Sequence, residues 1–278
     1  MPAKRVLRYV TEVEHGIDNY VDDLPYTNDN TKGGIEFIPA GQLILVSTVD
    51  DNGVIEDIEL WAPPGASTAT RLPPARTKGH SRGYLVDTRT NRAVSFASTY
   101  ELTCALMLLT NSSVVDIEDQ PPALHYIAAD GTEHKHTFDY RATLHNGVRI
   151  AFAVKPRDQV ESSGIEDVIQ RIKPNLRGFA DAAVLITDRT LTRDRAWNAK
   201  WTLRALKIRD EADCEKLRTL VSDINGIVSA YELARKFERF ADGLNAIWCL
   251  VYDGVLELAE PGKKLVDAPW VKIRHGRN

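Results

Sequence analysis

Residues 136–156 read "HTFDYRATLHNGVRIAFAVKP", and the register of this stretch decides the fold. Asn146-Gly147 separates two runs with apolar residues at every second place. Phe138, Tyr140, Ala142 and Leu144 precede it; Val148, Ile150, Phe152 and Val154 follow. A period of two is the pattern of paired strands with one face turned to a core. A two-residue loop of Asn146 and Gly147 would set Tyr140 against Ala153 and mix apolar with polar faces, which a sheet with a buried face does not tolerate. A three-residue loop, His145 to Gly147 with Gly147 left-handed, instead sets Phe138 against Val154, Tyr140 against Phe152, Ala142 against Ile150 and Leu144 against Val148. On the other face this register puts Asp139 beside Ala153 and Thr137 beside Lys155. An acid and an amine become diagonal neighbours on one small patch.

The chain around this hairpin has 278 residues, 43% hydrophobic and 27% charged, enough to bury one large core or two modest ones. No apolar run reaches the ~18 residues of a membrane span, and the opening "MPAKRVLRYV" turns polar at once in "TEVEHG". Neither a membrane segment nor a secretory signal is expected, and a cytoplasmic location is. Cys104, Cys214 and Cys249 lie far apart in apolar surroundings and are expected to be small core residues. A net charge of −4 argues against coating nucleic acid by bulk charge. Basic clusters at Lys4 to Arg8, "RTKGHSR" (76–82), "RDRAWNAKWTLRALKIR" (193–209) and the C-terminal "KIRHGR" read first as solvated faces and second as phosphate tracks.

Residues 1–74 read as a β-rich N-terminal segment. "QLILVSTV" and "VIEDIELW" flank the turn "DDNG", and "APPGASTATRLPP" closes the segment as a linker. Residues 75–208 read as an α/β domain with a mixed sheet flanked by helices. Strands are expected at "GYLVDT", "AVSFAS" and "AAVLIT", and helices at "TYELTCALMLLT", "GIEDVIQRIKPNL" and "NAKWTLRALKI". Residues 209–278 give three helices in quick succession and then two short strands around Pro261-Gly262, the order of a winged helix.

Several residues carry chemistry and a plainer reading side by side. "STYE", Ser98 to Glu101, fits a capping box in which Glu101 reaches back to the backbone at the helix start. Glu101 is also placed to point into the patch of Asp139 and Lys155. His125, His134, His136 and His145 crowd one region, but no helical HxxxH or cysteine partner supports a metal site. No phosphate-cradling glycine loop and no nucleophile elbow occur. Asp139 and Lys155 read either as a surface ion pair or as the core of metal-assisted phosphodiester cleavage. In that chemistry a carboxylate holds Mg²⁺ and a lysine orients water or neutralises developing charge.

Read together, residues 83–208 resemble the TnsA-like transposase endonucleases of the PD-(D/E)XK nuclease superfamily. "SFASTYELTCALMLLTNSSVVDIEDQPP" is similar to the family's acid-bearing helix and following strand, "DGTEHKHTFDY" to its aspartate segment, and "IAFAVKP" to its (E/Q)xK strand. "AVLITD" and "NAKWTLRAL" are similar to its closing strand and helix. The resemblance implies a restriction-endonuclease-like fold, Glu101 and Asp139 as ligands of Mg²⁺ or Mn²⁺, Lys155 as the catalytic lysine, and Gln120 among the residues lining the site. It also implies DNA cleavage at transposon ends, with a transposase subunit cutting the other strand and an ATPase as regulator.

Two positions depart from the family pattern. Phe138 stands where a proline is usual, and Ala153 stands where an acid or amide ligand is usual. A methyl group cannot coordinate a metal. Three readings of Ala153 follow: the carboxylate has migrated to Asp158, Glu161 or Glu166; the site is a degenerate DNA-binding or assembly remnant; or the alanine replaces a native ligand. The C-terminal unit has nearly balanced charge, and the resemblance favours its docking on the regulatory ATPase over DNA.

Overall fold

The computed structural model describes residues 44–49, 53–60, 64–71 and 81–274. The basic cluster at Lys4 to Arg8, most of "RTKGHSR", the last residues of "KIRHGR" and the first forty-three residues of the N-terminal segment lie outside them. The protein is mixed α/β. β1 (Ile44–Val49) and β2 (Ile55–Leu60) pair antiparallel across "DDNG". β3 (Gly83–Asp87) and β4 (Arg92–Phe96) form a second hairpin. Next come α1 (Thr99–Leu109), β5 (Val114–Asp119), β6 (Leu124–Ile127), β7 (Glu133–His136), β8 (Tyr140–Leu144), β9 (Arg149–Val154), α2 (Val160–Ser163), α3 (Ile165–Ile172), β10 (Ala182–Ile186) and α4 (Arg193–Lys207). The central sheet runs β10-β9-β8-β5, with β9 and β10 parallel and the other pairs antiparallel.

The expected hairpin register is the observed one. Tyr140 faces Phe152, Arg141 faces Ala151 and Ala142 faces Ile150. Leu144 N–H donates to Val148 O (2.8 Å), and Gly147 turns the loop with φ +82°, a conformation that costs glycine nothing. The strand is shorter than its alternation suggests, however. β7 pairs with β6 in a separate ribbon, and the backbone bends at Asp139 before β8 begins. Phe138 is therefore turned away from Tyr140 and packs in a different core.

Two cores sandwich the sheet. Tyr140, Ala142, Val154 and Ile117 pack with Cys104, Ala105, Leu108 and Leu109 of α1. On the opposite side Phe138, Ala151 and Ala153 pack with Ile165, Ile169 and Ile172 of α3 and with Phe179. The sequence assigned this second face to polar groups. The parallel pairing of β9 with β10 is what covers it, because a parallel pair needs a crossover and a crossover helix lies on the sheet. Each fully buried isoleucine of α3 contributes roughly 1.5–3 kcal/mol there.

Residues 64–71, read from sequence as part of a linker, are stitched to this domain. Gly65 N–H donates to Asn91 O (2.7 Å), and Thr70 N–H donates to Gln120 O (3.0 Å). The fully buried Asp119 accepts from Ser95 N–H (2.7 Å), Thr68 N–H (3.2 Å) and the hydroxyls of Ser67, Thr68 and Ser95. Both its oxygens are thereby committed to structure.

After α4 come α5 (Glu211–Val221), β11 (Ile227–Ser229), α6 (Ala230–Ala234), α7 (Phe240–Tyr252), β12 (Leu256–Leu258) and β13 (Trp270–Ile273). The three strands form an antiparallel sheet in the order β11-β13-β12; β11 is a three-residue strand that periodicity did not reveal. The C-terminal core of Leu217, Ile247, Leu250 and Val271 extends onto Ala205 and Trp197 of α4, while Leu203 of the same helix packs with the α1 core. Arg209 and Arg218 converge on Asp253 and lock the junction. A Cβ at Gly243 of α7 would lie 2.6 Å from Ala234 Cα and 2.8 Å from Ala234 O. Gly243→Ala is therefore expected to cost at least about 1–3 kcal/mol, read as a lower urea midpoint. No helix among the described residues is long and apolar enough to cross a membrane.

Candidate functional site

Asp139 sits at the bend where the chain enters β8, and its backbone is held from both sides. Its N–H donates to Phe152 O (2.9 Å), and its carbonyl accepts from Gln120 N–H (2.9 Å). The side chain is aimed by two more donors: Val154 N–H to Oδ2 (2.7 Å) and Gln120 Nε2 to Oδ1 (3.3 Å). Gln120 itself is left-handed, with φ +41°, a strained conformation for a residue with a Cβ. It is held there by Thr70, whose N–H and hydroxyl both donate to its carbonyl (3.0 and 2.9 Å). Strain of about 1–3 kcal/mol is thus spent beside the one carboxylate that the hairpin presents.

Glu101 arrives from the first turn of α1. Ser98 Oγ accepts from Glu101 N–H (3.1 Å), and Glu101 Oε2 accepts from Ala97 N–H (2.7 Å), one residue earlier than an ideal capping box predicts. Tyr140 Oη donates to Ser95 O (2.9 Å) and to Glu101 O (3.2 Å), tying the start of α1 to the hairpin. One oxygen of Glu101 thus closes the helix end, while its charge acts on Asp139.

That charge acts on its neighbours. Burial pushes the Asp139 carboxyl up to about 7, and the Glu101 carboxylate pushes in the same direction. Val154 N–H, Lys155 and Gln120 oppose the rise without cancelling it. The Cys104 thiol is raised by burial and then by the Asp139 and Glu101 charges, so it remains S–H and is no nucleophile. All three cysteines are buried and free.

Lys155 follows β9, its N–H donating to Ile186 O (3.1 Å) at the end of β10. Its half-buried side chain makes no hydrogen bond or ion pair among the described residues, although its charge acts on both Asp139 and His136. The surface-ion-pair reading does not describe it: the ammonium is near the carboxylate and uncommitted. His136 Nε2 is buried without a protein partner, and its ring packs edge-on against Phe138 (4.8 Å). Burial and then Lys155 lower its pKa, so it is neutral.

The structure brings Glu101, Asp139, Lys155 and Gln120 together and leaves the remaining candidates elsewhere. Ala153 is 1% exposed and faces the α3 core. Glu161 and Glu166 are exposed, on α2 and the first turn of α3. Asp158 lines an open cleft of about 490 Å³ with Tyr100, Arg157 and Asp188. His125 bonds Glu133, His134 bonds Thr132 and His145 bonds Ser112 O, so the histidines do not converge. Sequence reasoning missed the strain at Gln120 and the orphaned nitrogen of His136, since neither leaves a periodic signal.

No family model matches the chain, and no curated protein matches it. The geometry is then the whole basis for asking what the site holds. Among the described residues no three His, Cys, Asp or Glu side chains converge. Two carboxylates that repel one another and lack full solvation are nevertheless a donor set that a hard divalent cation satisfies, with water and a phosphate oxygen completing its shell. Glu101 and Asp139 are the two carboxylates here that could serve such an ion.

The raised Asp139 pKa has a sign that can be checked. Its folded-state pKa lies above the ordinary carboxylate range, so the folded protein holds a proton that the unfolded chain gives up. Stability should fall as pH rises from about 4 to about 7 and level off above. Asp139→Asn is expected to flatten that slope and to be more stable than the parent at pH 8, as read by urea unfolding at several pH values.

Proposed function

We propose that this chain is a divalent-metal-dependent DNA endonuclease of the PD-(D/E)XK lineage, similar to the TnsA-like enzymes that cut at transposon ends. The observation that carries the reading is the nearness of Glu101 to Asp139, close enough for the Glu101 charge to act on the Asp139 carboxyl, with the uncommitted Lys155 beside them at the sheet end. Glu101 and Asp139 would hold Mg²⁺ or Mn²⁺, which when bound supplies Lewis-acid polarisation of the phosphate. Val154 N–H and Gln120 fix the Asp139 carboxylate, so no reorganisation is needed when phosphate arrives. Lys155 stabilises negative charge developing on the phosphate oxygens. Burial by Phe138, Cys104 and Tyr140 excludes water from the rear of the site and strengthens each of these interactions. Incubating the protein with supercoiled plasmid and Mn²⁺, alone and with a transposase subunit, tests this: nicking that requires both metal and Asp139 supports it.

The restriction-endonuclease-like layout belongs to the same proposal, supported by the mixed sheet β10-β9-β8-β5 with α1 and α3 on its faces. The strand order β11-β13-β12 with α5, α6 and α7 supports a winged-helix C-terminal unit. α7, "FADGLNAIWCLVY", packs into the unit's own core and has no lysine or arginine to offer DNA, and the resemblance is what points to the regulatory ATPase as partner. A second reading, a non-cutting DNA-binding or assembly subunit, is favoured by one observation: the methyl of Ala153 is built into the apolar core.

A further inference from the structure

The basic run at 193–209 is unexplained by the catalytic site, and α4 gives it a geometry. Arg193, Lys200, Arg204 and Lys207 fall at positions i, i+7, i+11 and i+14, which on a 3.6-residue helix form one narrow stripe. All four side chains are exposed, while Asn198, Ala199, Thr202 and Ala205 occupy the buried face. Among the described residues none of the four cations makes an ion pair or hydrogen bond. Elsewhere arginines on helices or at their ends are paired: Arg171 with Asp167, Arg218 with Asp253, Arg235 with Glu232 and Arg239 with Asp242. In a protein of net charge −4, four exposed cations in one row with no ion pair among the described residues make a local strip of positive potential.

We propose that this stripe of α4 is a track for the phosphate backbone of duplex DNA, delivering the duplex to the site named above. The inference rests on the nuclease reading for its destination but not for the binding itself. The stripe spans about 21 Å at 1.5 Å per residue, a straight row suited to a stiff rod rather than a flexible strand. Its aromatic neighbour also points to duplex. Trp201 is 40% exposed, but the Arg204 guanidinium lies 5.4 Å over its ring and Trp197 packs against it at 5.5 Å. The indole thus holds Arg204 in place and offers little free face for stacking an unpaired base. The stripe starts at the right place. Arg193 follows β10 through a short loop, and Ile186 at the end of β10 accepts the Lys155 N–H.

The test is salt-dependent binding of a fluorescein-labelled duplex of mixed sequence to the full chain in EDTA, by anisotropy. Lys200→Ala combined with Arg204→Ala removes two phosphate contacts. At about 0.9 per contact, the slope of log affinity against log salt should fall by about 1.8, with about 60-fold weaker binding at 0.1 M salt. Arg235→Ala with Lys236→Ala, in the turn that follows α6, should change neither. The proposal is overturned if the stripe variant binds like the parent, if this control loses as much, if the parent does not retain duplex at low salt, or if a single strand binds more tightly. A parent that binds through α4 but never cuts sinks the nuclease reading alone; one that cuts while the stripe variant binds normally sinks the track alone.

Discussion

Asp139→Ala is expected to lower metal-dependent DNA cleavage by orders of magnitude while leaving duplex binding in EDTA unchanged. Asp139 is the carboxylate on which the hairpin, the Gln120 strain and the Val154 N–H all converge, and without it Glu101 would be the one carboxylate left to hold the proposed ion. Loss of folding is separated from loss of chemistry by Asp139→Asn. It retains an acceptor for Val154 N–H and removes a partly buried charge beside another carboxylate, so its urea midpoint at pH 8 should equal or exceed the parent's. Gln120→Ala acts one step further out. It keeps the ligand but frees its orientation, and a loss of about 10–100-fold in metal affinity or rate is expected for a partner of this kind. If Asp139→Ala cuts as fast as the parent, the site does no chemistry and the assembly-subunit reading takes its place.

The hairpin was legible because a two-residue period fixes register absolutely: one slip would have moved Tyr140 and Ala142 out of the α1 core. The helix start at Ser98 was legible from side-chain chemistry alone. What escaped was anything decided by a third element. Nothing within residues 136–156 says that α3 will cover their far face, so Ala153 read as a polar-face vacancy and not as a core methyl. Phe138 alternates correctly with Tyr140 in sequence, yet the bend at Asp139 sends the two rings to different cores. The same bend aims the Asp139 carboxylate at Val154 N–H and toward Glu101. Local periodicity located the candidate residues; the departure from periodicity is what brings them together. α4 repeats the lesson in reverse, since a basic run in one dimension becomes a stripe only once its buried face is known.

That distinction gives the last expected result, at Ala153. From sequence, Ala153→Glu supplies the missing acidic ligand and should raise activity. In the fold the methyl is 1% exposed against Ile165, Ile169 and Ile172, with no donor aimed at it. A glutamate there must enlarge a packed core, at about 1–3 kcal/mol, and must also bury a carboxyl without a partner, which costs a comparable amount again even when the group is protonated. We expect Ala153→Glu to lose at least about 3 kcal/mol of stability, read as a lower urea midpoint, with no gain in cleavage. Ala153→Ser, which adds one oxygen and little volume, should lose clearly less. The loss for the glutamate should also grow with pH, because a carboxyl in that core has a folded-state pKa far above its unfolded one. If Ala153→Glu instead unfolds with the parent's midpoint and cuts DNA faster, then position 153 opens onto the metal site. The acid would have been missing from an otherwise complete centre, and Glu101 and Asp139 would be two of three ligands rather than a pair.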